Sequence, residues 1–319
     1  EPPAHNGVVG GSNPSGPTKL MTKPNIKSYT LLLMLAAIWG SAFFNYKIVL
    51  ESFDFFILTT GRLFFAALVL ALISIFYKKI DYSPIFTKDF YIFFLIGIIN
   101  YIIPFSLIAL GINGMSSGLA ALLMGAGPFY AIIFSHLLGY DKFNKFKILG
   151  TVTGFFSVFI LVYDQVYLSQ SSSFISVLLV MLASLSYVIG SLFIQKYKKY
   201  NNQTISLLSM SCGFLILAPF CVFELISYDY DQFKLRSLVS LIYLGIFSTA
   251  LAFMMRIKLI FDNGIVFMSQ VSLLIPIFGV YFSWIFLNES YTANMIISLI
   301  ITILGLIILQ KGYRTSSSI

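Results

Sequence analysis

The feature that most constrains this chain is a succession of apolar runs, each about 17 to 25 residues long, the length at which an α-helix crosses the hydrocarbon core of a bilayer. Short polar segments mark off ten of them: 29–49, 55–76, 90–110, 117–138, 147–163, 174–195, 205–226, 237–257, 265–287 and 292–310. Charged residues make up 10% of the chain and hydrophobic residues 58%. So few charges cannot cover a water-facing surface, so lipid has to cover it. The runs therefore predict an all-α integral membrane protein of ten transmembrane helices. The formal charge of +8 lies in short clusters between the runs, as in membrane proteins, and not on one basic face. That distribution argues against nucleic acid as a partner.

Lysine and arginine set the expected orientation. With the N-terminus in the cytoplasm, the inner segments collect Lys23, Lys27, Lys78, Lys79, Lys88, Lys142, Lys145, Lys147, Lys196, Lys198, Lys199, Arg256, Lys258, Lys311 and Arg314, whereas the outer loops hold only Lys47, Lys234 and Arg236. This asymmetry is the positive-inside pattern, and it predicts both termini in the cytoplasm. Residues 1–20 are rich in Gly, Pro and Ser and lack the basic end and apolar stretch of a signal peptide. They read as a disordered, appended linker, with the natural chain expected to start at Met21. Residues 311–319 read as a cytoplasmic tail. Cys212 and Cys221 are nine residues apart in one run, roughly 13 Å along a helix, too far for a disulfide.

An internal repeat organises the runs. Pro128 and Pro276 are separated by 148 residues, and the same offset sets Gly97 on Gly245, Phe105 on Phe253, Ser135 on Ser283, Asp141 on Glu289 and Trp39 on Tyr187. Small residues Gly150, Gly154 and Ser157 fall on Ser298, Thr302 and Gly305. The expected units are 29–163 and 174–310. Five helices per unit is an odd number, so the two units run oppositely through the bilayer, an inverted repeat of the kind many secondary transporters use.

The chain resembles the drug/metabolite transporter superfamily, in particular its EamA-type members. The carriers of the resemblance are Ala37-Ile38-Trp39-Gly40-Ser41-Ala42-Phe43-Phe44, Gly61-Arg62-Leu63, Tyr243-Leu244-Gly245-Ile246-Phe247-Ser248-Thr249-Ala250, Leu274-Ile275-Pro276 and Leu287-Asn288-Glu289-Ser290. The last two resemble the family's proline followed by a Leu-Gly-Glu turn. The first half departs from that turn, reading Leu138-Gly139-Tyr140-Asp141, with Asp141 at the acidic position. The resemblance implies two five-helix units and the transport of amino acids, nucleotide derivatives or other metabolites.

Polar and aromatic residues near the middle of the runs are the best pointers to a solute site. Trp39, Asn100, Tyr101, Tyr187, Ser248 and Thr249 fall near mid-depth and pair across the repeat, Trp39 with Tyr187, Asn100 with Ser248 and Tyr101 with Thr249. Aromatic walls with a few hydrogen-bonding groups suit a small organic solute, although each such residue is equally suited to bridging helices. Asn45, Tyr130, Gln270 and Trp284 are secondary candidates on the same logic. Pro128 and Pro276 each remove a backbone hydrogen bond, which makes either a pair of gating hinges or a pair of static kinks. Arg62 lies about 10 Å below the outer boundary, where it can hold a substrate carboxylate or an outer-gate carbonyl; the resemblance favours an anchoring role. Arg256 lies close enough to the inner surface to snorkel, and His136 is expected to be a packing residue near the inner end of its run.

What is missing narrows the function further. No acidic residue lies at mid-depth, Glu224 being the deepest, so no carboxylate proton relay is expected, and neutral, zwitterionic or anionic solutes are favoured over cations. The sequence has no cluster of metal ligands and no Gly-rich phosphate loop, so neither a metal site, a cofactor nor ATP-driven pumping is expected. An intramembrane enzyme would need a nucleophile, metal or paired acids at depth, and a channel would show rings of like residues. The expectation is a multi-pass carrier in the inner membrane of a bacterium, acting as monomer or homodimer. Amino acids or related zwitterions come first as solute, and a nucleoside-type metabolite such as S-adenosylmethionine second.

Overall fold

The computed structural model describes residues 25–77, 80–137, 143–168, 173–196, 200–263, 265–268 and 270–316. Asp141 and residues 1–20 lie outside this set. The described chain is helical throughout, with ten principal helices: α1 Ile26–Val49, α2 Phe55–Tyr77, α3 Phe90–Ile112, α4 Ser117–Leu137, α5 Lys145–Tyr163, α6 Phe174–Lys196, α7 Asn202–Ile226, α8 Leu235–Arg256, α9 Val271–Leu287 and α10 Ala293–Ser316. Nine of the described helices have the length and apolarity to cross a membrane. The exception, α9, is apolar but shorter and is preceded by the helical turn Ile265–Met268. The helix of α8 runs on to Asn263.

Large apolar side chains such as Phe76, Phe156, Phe223, Ile226 and Trp284 are exposed, as expected where lipid is the solvent. Inside the bundle, small and polar residues let helices approach. The small residues of α5 and α10 meet one another: Gly150 faces Gly305 and Leu309, and the Ser157 hydroxyl bonds that of Thr302. Asp164, just past α5, accepts hydrogen bonds from Thr292 Oγ1 (2.9 Å) and Asn294 Nδ2 (2.7 Å) at the start of α10. At the other end of the pair, Asn144 Nδ2 donates to the Gly312 carbonyl at 2.8 Å. The two helices are thus antiparallel and tied at both ends.

The halves interlock in a repeated way. Helix α1 crosses α8 through Trp39 Nε1, which donates to the Ser248 carbonyl (3.2 Å), while the Ser248 hydroxyl donates to the Ile38 carbonyl (3.3 Å). Helix α6 crosses α3 at the corresponding place, where the Ser186 hydroxyl donates to the Ile99 carbonyl at 2.6 Å and Gly190 gives room to Asn100. Among the described residues, loops expected on one side touch others expected on that side. Glu51 and Ser52 meet Lys234, Arg236 and Ser237 at one end, and Asp81 and Asp89 meet Thr204 and Tyr200 at the other.

Candidate functional site: a central cavity between two distorted helices

Helices α3 and α8 each lose regular α geometry at the middle. Ile98–Ile102 and Leu244–Leu251 are wound as π-helix, and the 148-residue offset carries the first segment into the second. In α3 the cause is Pro104, which has no N–H for the Asn100 carbonyl, so the Ile103 N–H reaches back five residues to Ile98 instead. In α8 the Thr249 hydroxyl donates to the Leu244 carbonyl at 2.9 Å, and the Ala252 N–H takes the Phe247 carbonyl. Adjacent residues of these segments point to different faces. Asn100 and Ser248 line a central cavity, while Tyr101 and Thr249 do not.

That cavity has a volume of about 360 Å³, within the range of about 300 to 1,000 Å³ usual for small-molecule sites. Its walls are aromatic and apolar: Trp39, Phe43, Tyr46, Phe105, Tyr187, Phe253, Met124 and Met268. Its polar groups are Asn100, Ser191, Ser248 and Ser272, with two arginines, Arg62 and Arg256, and no acidic residue among the described lining. Asn100 Nδ2 is buried without a hydrogen-bond partner among the described residues.

Arg62 is 5% exposed. Its Nε donates to Thr249 Oγ1 at 2.7 Å, its Nη1 to the Tyr46 hydroxyl at 2.6 Å, and its guanidinium lies 3.8 Å over the Phe105 ring. The bonds run to α1 and α8, so this side chain joins the two halves. Arg256, at the far end of α8, lines the cavity with its guanidinium over the Phe253 ring at 5.7 Å.

Of the two prolines Pro276 lines the cavity, and Pro128 lies just beyond the lining residues Met124 and Gly125. Helix α4 breaks at Gly125 and Ala126, just ahead of Pro128. The Met124 carbonyl, which Pro128 leaves without a donor, accepts from the Ser184 hydroxyl of α6 at 3.3 Å. Pro276 sits inside α9 and lines the cavity with Ser272, whose carbonyl it deprives of a partner. Beyond α9, Asn288 takes the left-handed conformation (φ 53°) where the family turn has glycine; asparagine is the non-glycine residue that tolerates it best. This turn brings the Glu289 carboxylate onto the first amides of α4, Ser117 N at 2.7 Å and Gly118 N at 3.0 Å.

The remaining candidates lie apart from the cavity. Asn45 bonds the Ser41 carbonyl (2.8 Å) and lines a separate crevice among α1, α8 and α9. Tyr130 packs on Phe155 at 5.4 Å, Gln270 precedes α9 next to the lining residue Val271, and Trp284 is 59% exposed on the outside of the bundle. His136 stacks near Phe143 at 4.2 Å. Reading by depth missed Phe105 and Phe253 as wall residues, although the repeat offset had already paired them. It also missed Tyr46, Met124, Ser191 and Ser272, which carry no comparable signal.

A duplicated bundle of membrane-length helices around an internal polar and aromatic chamber defines a membrane transport protein of the multi-pass kind. The chain belongs to the EamA-like transporter family, whose model matches residues 26–163 and again 174–310. It is 23% identical to an uncharacterized transporter of Bacillus subtilis over 86% of this chain and 94% of that one. It is also 23% identical to a probable amino-acid metabolite efflux pump of Escherichia coli, over 90% of this chain and 96% of that one. The same identity relates it to an S-adenosylmethionine/S-adenosylhomocysteine transporter of Chlamydia muridarum, over 90% and 94%. A solved crystal structure shares the fold with a TM-score of 0.63 at 11% identity, covering 92% of this chain and 99% of that one. The family comprises transporters and not enzymes.

Proposed function

We propose that this protein is a secondary carrier of a bacterial plasma membrane that moves a small organic metabolite of the amino-acid class by alternating access, with the central cavity as its solute site. In this reading the five-helix units 29–163 and 174–310 rock about the regions of Pro128 and Pro276 and open one chamber to each side in turn. One observation carries it: the two repeat-related π segments converge on a single cavity with convergent polar groups and aromatic walls. The amino-acid class is supported by the name of the Escherichia coli relative. The Chlamydia relative supports a second reading, a nucleoside-type metabolite, whose base the Trp39 and Tyr187 faces would suit.

The test is thermal denaturation of the detergent-purified protein against amino acids and nucleosides, repeated with Tyr187→Ala and Trp39→Ala. A solute bound only to the folded state raises the melting temperature by mass action. Tyr187 is the cleaner probe, because its side chain makes no hydrogen bond to a described residue whereas that of Trp39 also bonds α8. The expected result is stabilisation by an amino acid that vanishes in Tyr187→Ala. Stabilisation untouched by either substitution would move the site out of this cavity.

A further inference from the structure

We infer that the cargo of this cavity is an organic anion, bound through its carboxylate or phosphate oxygens by Arg256 together with Arg62; this rests on the cavity being the solute site. The lining holds two guanidinium groups and, among the described residues, no carboxylate. Of the five N–H donors of a guanidinium, Arg62 spends two on the Tyr46 and Thr249 hydroxyls, which leaves three for the cavity. Arg256 makes no hydrogen bond or ion pair with any described residue and is held only by the Phe253 face. Guanidinium forks match oxyanions bidentately and are the side chains suited to recognising them under partial burial.

The two arginines reach the chamber from separate points. Arg62 bonds Thr249, and Arg256 follows Thr249 by seven residues on the same helix, roughly 10 Å along the axis. A solute with one acidic group can meet either guanidinium, and one with two acidic groups can meet both. Asn100 and Ser248 line the same chamber. A desolvated wall with two positive charges and no counter-charge disfavours a cation such as a sulfonium and is neutralised by an anion.

Proteoliposome uptake and exchange with L-glutamate, malate, glycerol 3-phosphate, L-leucine and S-adenosylmethionine tests this, with Arg256→Gln and Arg256→Lys beside the wild type. The inference expects transport of at least one of the three anions and a fall of at least about tenfold in Arg256→Gln, the scale of one lost charge-assisted hydrogen bond. Arg256→Lys keeps the charge and should restore part of the activity at unchanged melting temperature, which a packing role for Arg256 would not produce. Malate and glycerol 3-phosphate separate a carboxylate from a phosphate end. Transport of leucine or S-adenosylmethionine alone, unaffected by Arg256→Gln, would overturn the anion inference and leave the carrier reading standing. No transport of any of the five would overturn both.

Discussion

Arg62 and Arg256 come to one chamber by different routes. Arg62 enters from the second helix and is anchored by hydroxyls from both halves, whereas Arg256 enters from the far end of α8 and leaves its donors uncommitted. Depth counting brought Trp39, Asn100, Tyr187 and Ser248 to the cavity, because distance along a helix is readable from position alone. It treated Tyr101 and Thr249 as their equals, because depth along a helix does not say which side of it a residue faces. The surface charges at the loop end are more legible. Partial burial alone would raise the Glu51 carboxyl; the hydrogen bonds and charges of Lys234 and Arg236 outweigh it and hold the group below its ordinary 4.5. Because the native value is the lower one, this stabilisation is present above pH 4.5 and is lost as pH falls through the native value. Lys234 and Arg236 are 49% and 63% exposed, so solvent screening limits the contribution to about 1 kcal/mol or less. The melting temperature of the wild type should fall more steeply on acidification than that of Glu51→Gln at low salt; equal slopes would remove this pair from the account.

At the scale of elements, the tightest joint is α5 against α10. A Cβ on Gly150 would lie 2.6 Å from the Leu309 backbone nitrogen and 2.7 Å from the Gly305 carbonyl oxygen. Backbone cannot step aside as a side chain does, so Gly150→Val forces the helices apart at a cost of about 2 kcal/mol or more. A lowered melting temperature in detergent would register it, while an unchanged one would mean that the helices do not pack this closely. The small-residue ladders were plain in the sequence as part of the repeat; the structure packs one against the other within the chain. The prolines were equally plain, yet only one helix breaks. Helix α4 separates ahead of Pro128 where Gly125 offers little resistance and Ser184 supplies a replacement donor, whereas α9 runs through Pro276.

For the molecule as a whole, the alternation of basic loops and the touching of like-sided loops both call for an even number of crossings. A fluorescent protein fused to the C-terminus should therefore glow in living bacteria, and alkaline phosphatase in its place should stay inactive. The opposite pair of results would require an odd number of crossings or a reversed chain. The end that the charge distribution assigns to the outside is closed at α4 by a carboxylate bound to main-chain amides. With Glu289 on the first two amides and the Ser116 hydroxyl accepting from Leu119 N at 3.2 Å, the start of that helix has its free donors met. Seen as a rule of inheritance, this seam reads size on α4 and not chemistry. Position 117 is fully buried and a Cβ on Gly118 would run into the Tyr291 hydroxyl, so both sites admit only small residues. Proline, ordinarily the residue most at home in the first turn of a helix, is the one substitution that would erase a rung of the closure.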